Sequence, residues 1–242
     1  MKRKYLSQSN TIDKQDLFYN QTDPAILFGE YNHIPLLSKV VPYLPLRNNY
    51  CMEGFCDMPI TPVFNSDITT DVIPLDKVRS CHRYNTGVHG FVYDDVIARF
   101  VNNIYGALPT LRKHPYVIAP DFSSYSALFT MVNLQGIFLS RNVTCFLDEH
   151  GIPTVPCYTY STFDSVEYSL LGLPMHSIIA VGHHVIGRYP IQREVTQYAI
   201  NRLINVKQPA KLLVYGEPLD FDVPIEVIRI DSRIQNLRKI KR

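Results

Sequence analysis

Tryptophan is absent from the 242 residues, and neither sign of charge dominates: 24 lysines and arginines stand against 22 aspartates and glutamates, a net charge of +2. A protein that binds nucleic acid through bulk electrostatics carries a strongly basic balance, so charge alone does not support that class. Only the ends are basic, with Lys2, Arg3 and Lys4 at one and Arg238, Lys239, Lys241 and Arg242 at the other, and such runs read first as solvated tails. Long hydrophobic runs are missing too. No stretch approaches the ~20 apolar residues of a membrane helix, and the opening basic residues lead into "YLSQSNTIDKQ", which lacks the apolar stretch of a signal peptide. The expectation is a cytoplasmic protein with no membrane contact.

Cysteine is scarce and irregularly spaced. Cys51, Cys56, Cys81, Cys145 and Cys157 form an odd set, which argues against a disulfide framework and for reduced thiols. Cys51 and Cys56 with Cys81 and His82 would make a zinc set only at an offset outside the usual knuckle spacing. Several signature motifs are also missing. "GHHVIGR" has the glycines of a phosphate loop without its Lys-Ser/Thr, and there is neither a Gly-x-Gly-x-x-Gly turn nor a Gly-x-Ser-x-Gly elbow. These absences disfavour the usual nucleotide-binding folds and the α/β-hydrolase triad.

What is present is an ordinary globular composition, 46% hydrophobic and 19% charged, with 16 tyrosines and 12 phenylalanines. Up to about residue 75 the chain is polar and broken by prolines, from Pro24 to Pro74, which reads as an irregular N-terminal arm (1–75) packed on a core. From there to residue 242 short apolar strands alternate with amphipathic helices, the pattern of parallel βα units in one compact whole. Strands are expected at "GFVY" ending at Tyr93, "YVIA" at Ala119, "IPTVPCY" near Tyr158, "SIIAV" at Val181, "KLLVY" at Tyr215 and "IEVIRI" at Ile230. Helices are expected over Ser126 to His150, closed by Gly151, and over Ile191 to Val206, with Pro190 in its first turn. The fold class is α/β, either (β/α)-barrel-like or an open parallel sheet, which periodicity does not decide.

The segments "FVYDDVIARFVNNIYGALPTLRKHPYVIAPDFSSYSALFTMVNLQGIF", "GIPTVPCYTYSTFDSVEYSLLGLPMHSIIAVG" and "KLLVYGEPLDFD" carry a resemblance through an Asp-Asp pair, a Pro-Asp-Phe-Ser turn, an Ile-Pro strand and a Val-Tyr-Gly strand end. Over about residues 80–230 the chain resembles the domain-of-unknown-function family DUF4417, found in bacteria, on phages and on other mobile elements. The resemblance implies that setting and lends no chemistry.

Parallel βα architectures gather ligands at the carboxyl ends of their strands. Those ends hold Asp94 and Asp95, then Asp121 with Ser123 and Ser124, Tyr158 and Tyr160, His183 and His184, and Tyr215 with Glu217. Asp94, Asp121 and His183 are the candidate catalytic residues, acting as general acid and base or with Asp94 and Asp121 holding Mg²⁺ or Mn²⁺. The remaining residues of the rim are candidates for binding. The bland readings are a first-turn or capping role for Asp94 or Asp95, an N-cap role for Ser123 or Ser124 before a helix starting near Tyr125, and a turn role for Asp121. Tyr158 and Tyr160 are expected to divide, one at the rim and one packed. The leading expectation is a carboxylate- or metal-dependent hydrolase of a phosphorylated or glycosidic substrate. The alternative is a non-catalytic module that binds nucleic acid or protein through a tyrosine-rich rim and basic termini.

Overall fold

The computed structural model describes residues 44–126, 129–183 and 190–232. Nine strands and five α-helices are found among them. A short antiparallel hairpin, β1 (Met52–Glu53) with β2 (Met58–Pro59), precedes the parallel part. β3 (Val72–Pro74), β4 (Gly87–His89), β5 (Val117–Ile118) and β6 (Thr154–Val155) then form one parallel sheet in chain order. β7 (Ile178–His183), β8 (Lys211–Gly216) and β9 (Val227–Ile230) form a second, also in chain order. A parallel bridge between Cys157 and Ala180 joins the two, with Tyr158 N–H donating to the Ala180 carbonyl at 2.8 Å and Ala180 N–H to that of Pro156 at 2.9 Å.

The helices are α1 (Asp94–Asn102), α2 (Ile104–Leu111), α3 (Thr130–Glu149), α4 (Phe163–Ser169) and α5 (Pro190–Lys207). α5 starts at Pro190, which needs no intrahelical donor there, and buries Val195, Ala199, Ile200 and Leu203 along one stripe. Each of its large apolar side chains contributes about 1.5–3 kcal/mol on leaving water. α3 ends at Gly151, whose φ of 71° is the left-handed stop read in the sequence. α4 begins with a capping box, Ser165 N–H donating to Thr162 Oγ1 and Thr162 N–H to Ser165 Oγ. No helix among the described residues is long and apolar enough to cross a membrane.

Strand alternation sorts the core into two sides. Tyr116, Ile118, Val155, Cys157, Ile178, Ala180, Leu213, Tyr215 and Ile230 share one cluster with Phe64 and Phe91. The intervening Val117, Tyr158, Ile179, Val181, Leu212 and Val214 belong to the clusters packed with the helices. The first side is concave. His89 on β4 and Tyr215 on β8 have ring centroids 4.5 Å apart, whereas four strand spacings on a flat sheet would separate them by roughly 19 Å. The strands close no barrel among the described residues, where β3 and β9 each pair at one edge only.

Three local expectations are corrected. The first expected strand lies earlier, at Gly87–His89, because Val92 N–H turns back onto the Gly90 carbonyl and ends extension before Tyr93. β3 was hidden in the proline-broken region; its Pro74 falls at the end of an edge strand, where a missing donor costs little. α3 begins at Thr130, not near Tyr125, because the Asn133 side chain reaches back to both backbone groups of Tyr125 and stabilises a loop there. Ser123 and Ser124 therefore cap nothing. The basic termini lie outside the described residues.

Candidate functional site

Asp121 stands where β5 runs out, directly after Pro120. Its N–H donates to the Gly90 carbonyl at 3.3 Å, and Ser140 Oγ on α3 donates to the Pro120 carbonyl at 2.7 Å, so this turn is fastened to the exit of β4 and to the helix beneath it. The carboxyl group meets the ends of two further strands. Oδ1 accepts from the Thr159 hydroxyl and from the Cys157 thiol, the latter at 3.6 Å. Oδ2 faces Gly182 on β7, where a Cβ atom would stand 3.0 Å from it and 3.0 Å from the Phe91 ring. Only glycine leaves that space open.

The surroundings set the charge of Asp121. Burial pushes its carboxyl up from 3.8 to about 6; the bonds from Thr159 and Cys157 work against the rise, Asp94 adds to it and Arg141 opposes it. Cys157 is driven well above its ordinary value, first by burial and then by the Asp121 charge, so it is a thiol donor and not a thiolate nucleophile. Beneath it the Arg141 side chain is buried, and its guanidinium donates to the carbonyls of Leu171 at 3.1 Å, Cys157 at 2.6 Å and Ser169 at 2.9 Å. Burial lowers its value to about 10, which leaves it charged at neutral pH.

Asp94 is the second carboxylate of this region. It lies in the first turn of α1, where negative charge is favoured by the helix dipole. Its Oδ1 accepts from Ser123 N–H at 3.0 Å and Ser123 Oγ at 3.1 Å, and its Oδ2 from Tyr125 Oη at 3.3 Å. Asp94 thereby ties the loop that follows Asp121 to the start of α1. Asp95 turns outward to Arg99 at 3.0 Å, and Ser124 bonds Ser161 at 2.8 Å.

The other candidates divide between the concave side and the helix-packed side. Tyr158 is 1% exposed and packs among α4 and α5 residues, with Tyr160 beside it at a ring distance of 5.1 Å. Residues two apart share a face of a strand, so the expected division between them does not occur. The residues between and before them, Thr159 and Cys157, are the ones that reach Asp121, and the sequence reading missed both, along with Arg141. The signal was available in the parity of "PCYTY". His183 follows Gly182 and, by the same alternation, leaves the concave side. Its Nδ1 donates to the Glu217 carbonyl at 2.7 Å, while Glu217 N–H donates to the His183 carbonyl at 2.9 Å. Tyr215 lies on the concave side stacked on Phe91, centroids 4.7 Å apart and 9° from parallel. His184 lies outside the described residues.

No three His, Cys, Asp or Glu side chains among the described residues are grouped to hold a metal ion, the Cys51, Cys56, Cys81 and His82 set included.

Two curated phage proteins share part of this chain. Over 110 residues it is 28% identical to the Gene 1 protein of Mycobacterium phage L5, covering 44% of this chain and 48% of that protein. Over 109 residues it is 23% identical to the Gene 1 protein of Mycobacterium phage D29, covering 45% and 40%. The chain spans about half the length, or less, of these relatives. No solved structure matches it significantly. The family model described as "Domain of unknown function (DUF4417)" matches residues 50–230, which takes in the hairpin, every strand of both sheets and the whole Asp121 site. The chain belongs to the DUF4417 family.

Proposed function

We propose that this member of a phage-associated family is a hydrolase that works by general acid–base catalysis at the concave mouth, on a glycosidic or phosphorylated substrate. The observation that carries the reading is Asp121: a recessed carboxyl at the carboxyl ends of three neighbouring strands, with one oxygen held by Thr159 and Cys157 and the other beside a glycine. A carboxyl that titrates near 6 can hold a proton close to neutrality and release it to a leaving group. In the reaction, Asp121 donates its proton to the leaving oxygen as the bond to carbon or phosphorus breaks. Water forms the new bond, and its proton passes to a second base, for which Asp94 is the nearby carboxylate. The stacked rings of Phe91 and Tyr215 floor the site and favour a substrate with a ring near the scissile bond.

The metal-dependent form of this chemistry has less support, because the two carboxylates have no third His, Cys, Asp or Glu grouped with them among the described residues. The tyrosine-rich binding rim has less support as well, since Tyr158 is buried against helices.

The test is turnover by the full chain of 4-nitrophenyl glycosides and of bis(4-nitrophenyl) phosphate between about pH 4 and 8. The reading requires hydrolysis of one class, with a rate that falls above about pH 6, and a loss of about 10²-fold or more in Asp121→Asn. Wild-type protein inert towards both classes, or Asp121→Asn as active as wild type, contradicts it.

A further inference from the structure

We infer that Thr159 and Gly182 are positioning residues that decide which oxygen of Asp121 carries its proton, placing it on Oδ2 and leaving that oxygen open to a ligand. The inference deepens the acid–base reading of the same site, but rests on geometry that exists without turnover.

A neutral carboxyl group has one hydroxyl oxygen and one carbonyl oxygen, and hydrogen-bond donors mark the carbonyl one. Oδ1 of Asp121 receives two donors from the segment that follows β6, the Thr159 hydroxyl and the Cys157 thiol. Cys157 remains a thiol because burial and the neighbouring carboxylate oppose its ionisation, so its hydrogen stays available to donate. A proton placed on Oδ1 would point at the thiol hydrogen and require the Thr159 hydroxyl to turn from donor to acceptor. On Oδ2 it meets none: among the described residues no hydrogen bond reaches that oxygen, and its neighbour is Gly182.

Gly182 acts by what it lacks. Its place in the concave row would put a Cβ atom 3.0 Å from Oδ2 and equally close to the Phe91 ring, closing the approach to the proton from β7. The backbone there is ordinary strand, paired with Tyr215 of β8, so steric access and not conformational freedom is what glycine supplies. The two sides of the carboxyl are thus unequal. The segment after β6 anchors one oxygen, and β7 stands back from the other.

Arg141 supports the arrangement from below. By donating to the Cys157 carbonyl it fixes the stretch after β6 from which both donors to Oδ1 project. It does not touch the carboxyl group itself, and its other bonds go to the carbonyls of Ser169, at the end of α4, and Leu171, just after it.

The experiment is a ¹³C NMR titration of the Asp121 carboxyl in the full chain labelled at aspartate, with the wild type compared with Thr159→Val, Thr159→Ser and Cys157→Ala. Wild type should titrate near 6. Thr159→Val removes a donor to the ionised form and should raise the midpoint by roughly half a pH unit or more, Thr159→Ser should restore it, and Cys157→Ala should raise it by less. A packing role alone would make Ser, the smaller residue, worse than the near-isosteric Val. Should Thr159→Val not fold, the Cys157→Ala shift decides. Unchanged midpoints in Thr159→Val and Cys157→Ala overturn the inference even if the wild type hydrolyses a probe. The expected shifts in a chain that hydrolyses neither probe class uphold the proton placement and sink the hydrolase reading. Gly182→Ala completes the test: its methyl group should raise the midpoint further by excluding water from Oδ2, and a midpoint at or below the wild-type value contradicts the role given to Gly182.

Discussion

His89 of β4 and Tyr215 of β8 meet across the concave side, ring centroids 4.5 Å apart, with Tyr215 Oη 3.4 Å from His89 Nε2. Phe91 stacks on the same tyrosine, so one ring ties two strands that are remote in the sheet order. Tyr215→Ala should therefore cost about 3–5 kcal/mol, as loss of a large buried ring does. Tyr215→Phe keeps the stack, gives up the long hydrogen bond to His89 Nε2 and should cost about 1 kcal/mol, well below the alanine variant. Urea unfolding monitored by circular dichroism measures both, and equal costs for the two variants would show that the stack does not hold the curvature.

Arg141 gives a second prediction. Its guanidinium satisfies three backbone carbonyls from two separate segments, so Arg141→Met should destabilise by about 3 kcal/mol or more, leaving those acceptors buried and unpartnered. Arg141→Lys should recover little, because an ammonium lacks the planar fork that reaches all three. Recovery of most of the stability by lysine in denaturant unfolding would mean that charge, not geometry, is what matters at this position.

The hairpin has its own anchor. Lys207, 5% exposed at the end of α5, places Nζ 2.8 and 2.9 Å from the two carboxylate oxygens of Glu53, and Glu53 Oε2 also accepts from Gly172 N–H at 2.7 Å. Lys207→Ala should cost about 1–3 kcal/mol and act locally. Amide hydrogen exchange should accelerate over residues 52–59 while the strands of the two parallel sheets keep their protection. Acceleration spread evenly through the chain would contradict a local anchor.

Much of this was legible in the residues, and the failures have physical causes. Strands β7 and β8 lie where the apolar runs placed them, because a parallel strand covered on both faces must be apolar throughout. That same uniformity hides which parity faces the concave side, so one of Tyr158 and Tyr160 was expected at the rim, where Thr159 and Cys157 are the residues that reach Asp121. β3 was missed because its few residues carry a proline, tolerated only at an edge. The start of α3 was misread because Asn133 holds Tyr125 in a loop, a long-range side-chain bond that no propensity encodes. Asp121 stood out as a candidate because it directly follows a strand-ending proline, with a turn role as the other reading; its partners after β6 and on β7 are 36 and more residues away and depend on the sheet order.

The central claim, that Asp121 is a carboxyl kept protonatable by its site, has a direct thermodynamic consequence. Its folded value, about 6, lies above its ordinary 3.8, so between these limits the folded chain binds more protons than the unfolded one and stability falls as pH rises. The penalty is absent below about 3.8, complete above about 6, and amounts to about 3 kcal/mol. Asp121→Asn keeps an acceptor for Thr159 and has no proton to lose. The measurement is the unfolding free energy of wild type and Asp121→Asn by urea denaturation at steps between about pH 4 and 7, taken as a difference so that other groups cancel. The advantage of the variant over wild type should grow with pH by about 3 kcal/mol across that window. A difference that stays flat from end to end would show that Asp121 is an ordinary turn carboxylate, and the acid–base site would lose its acid.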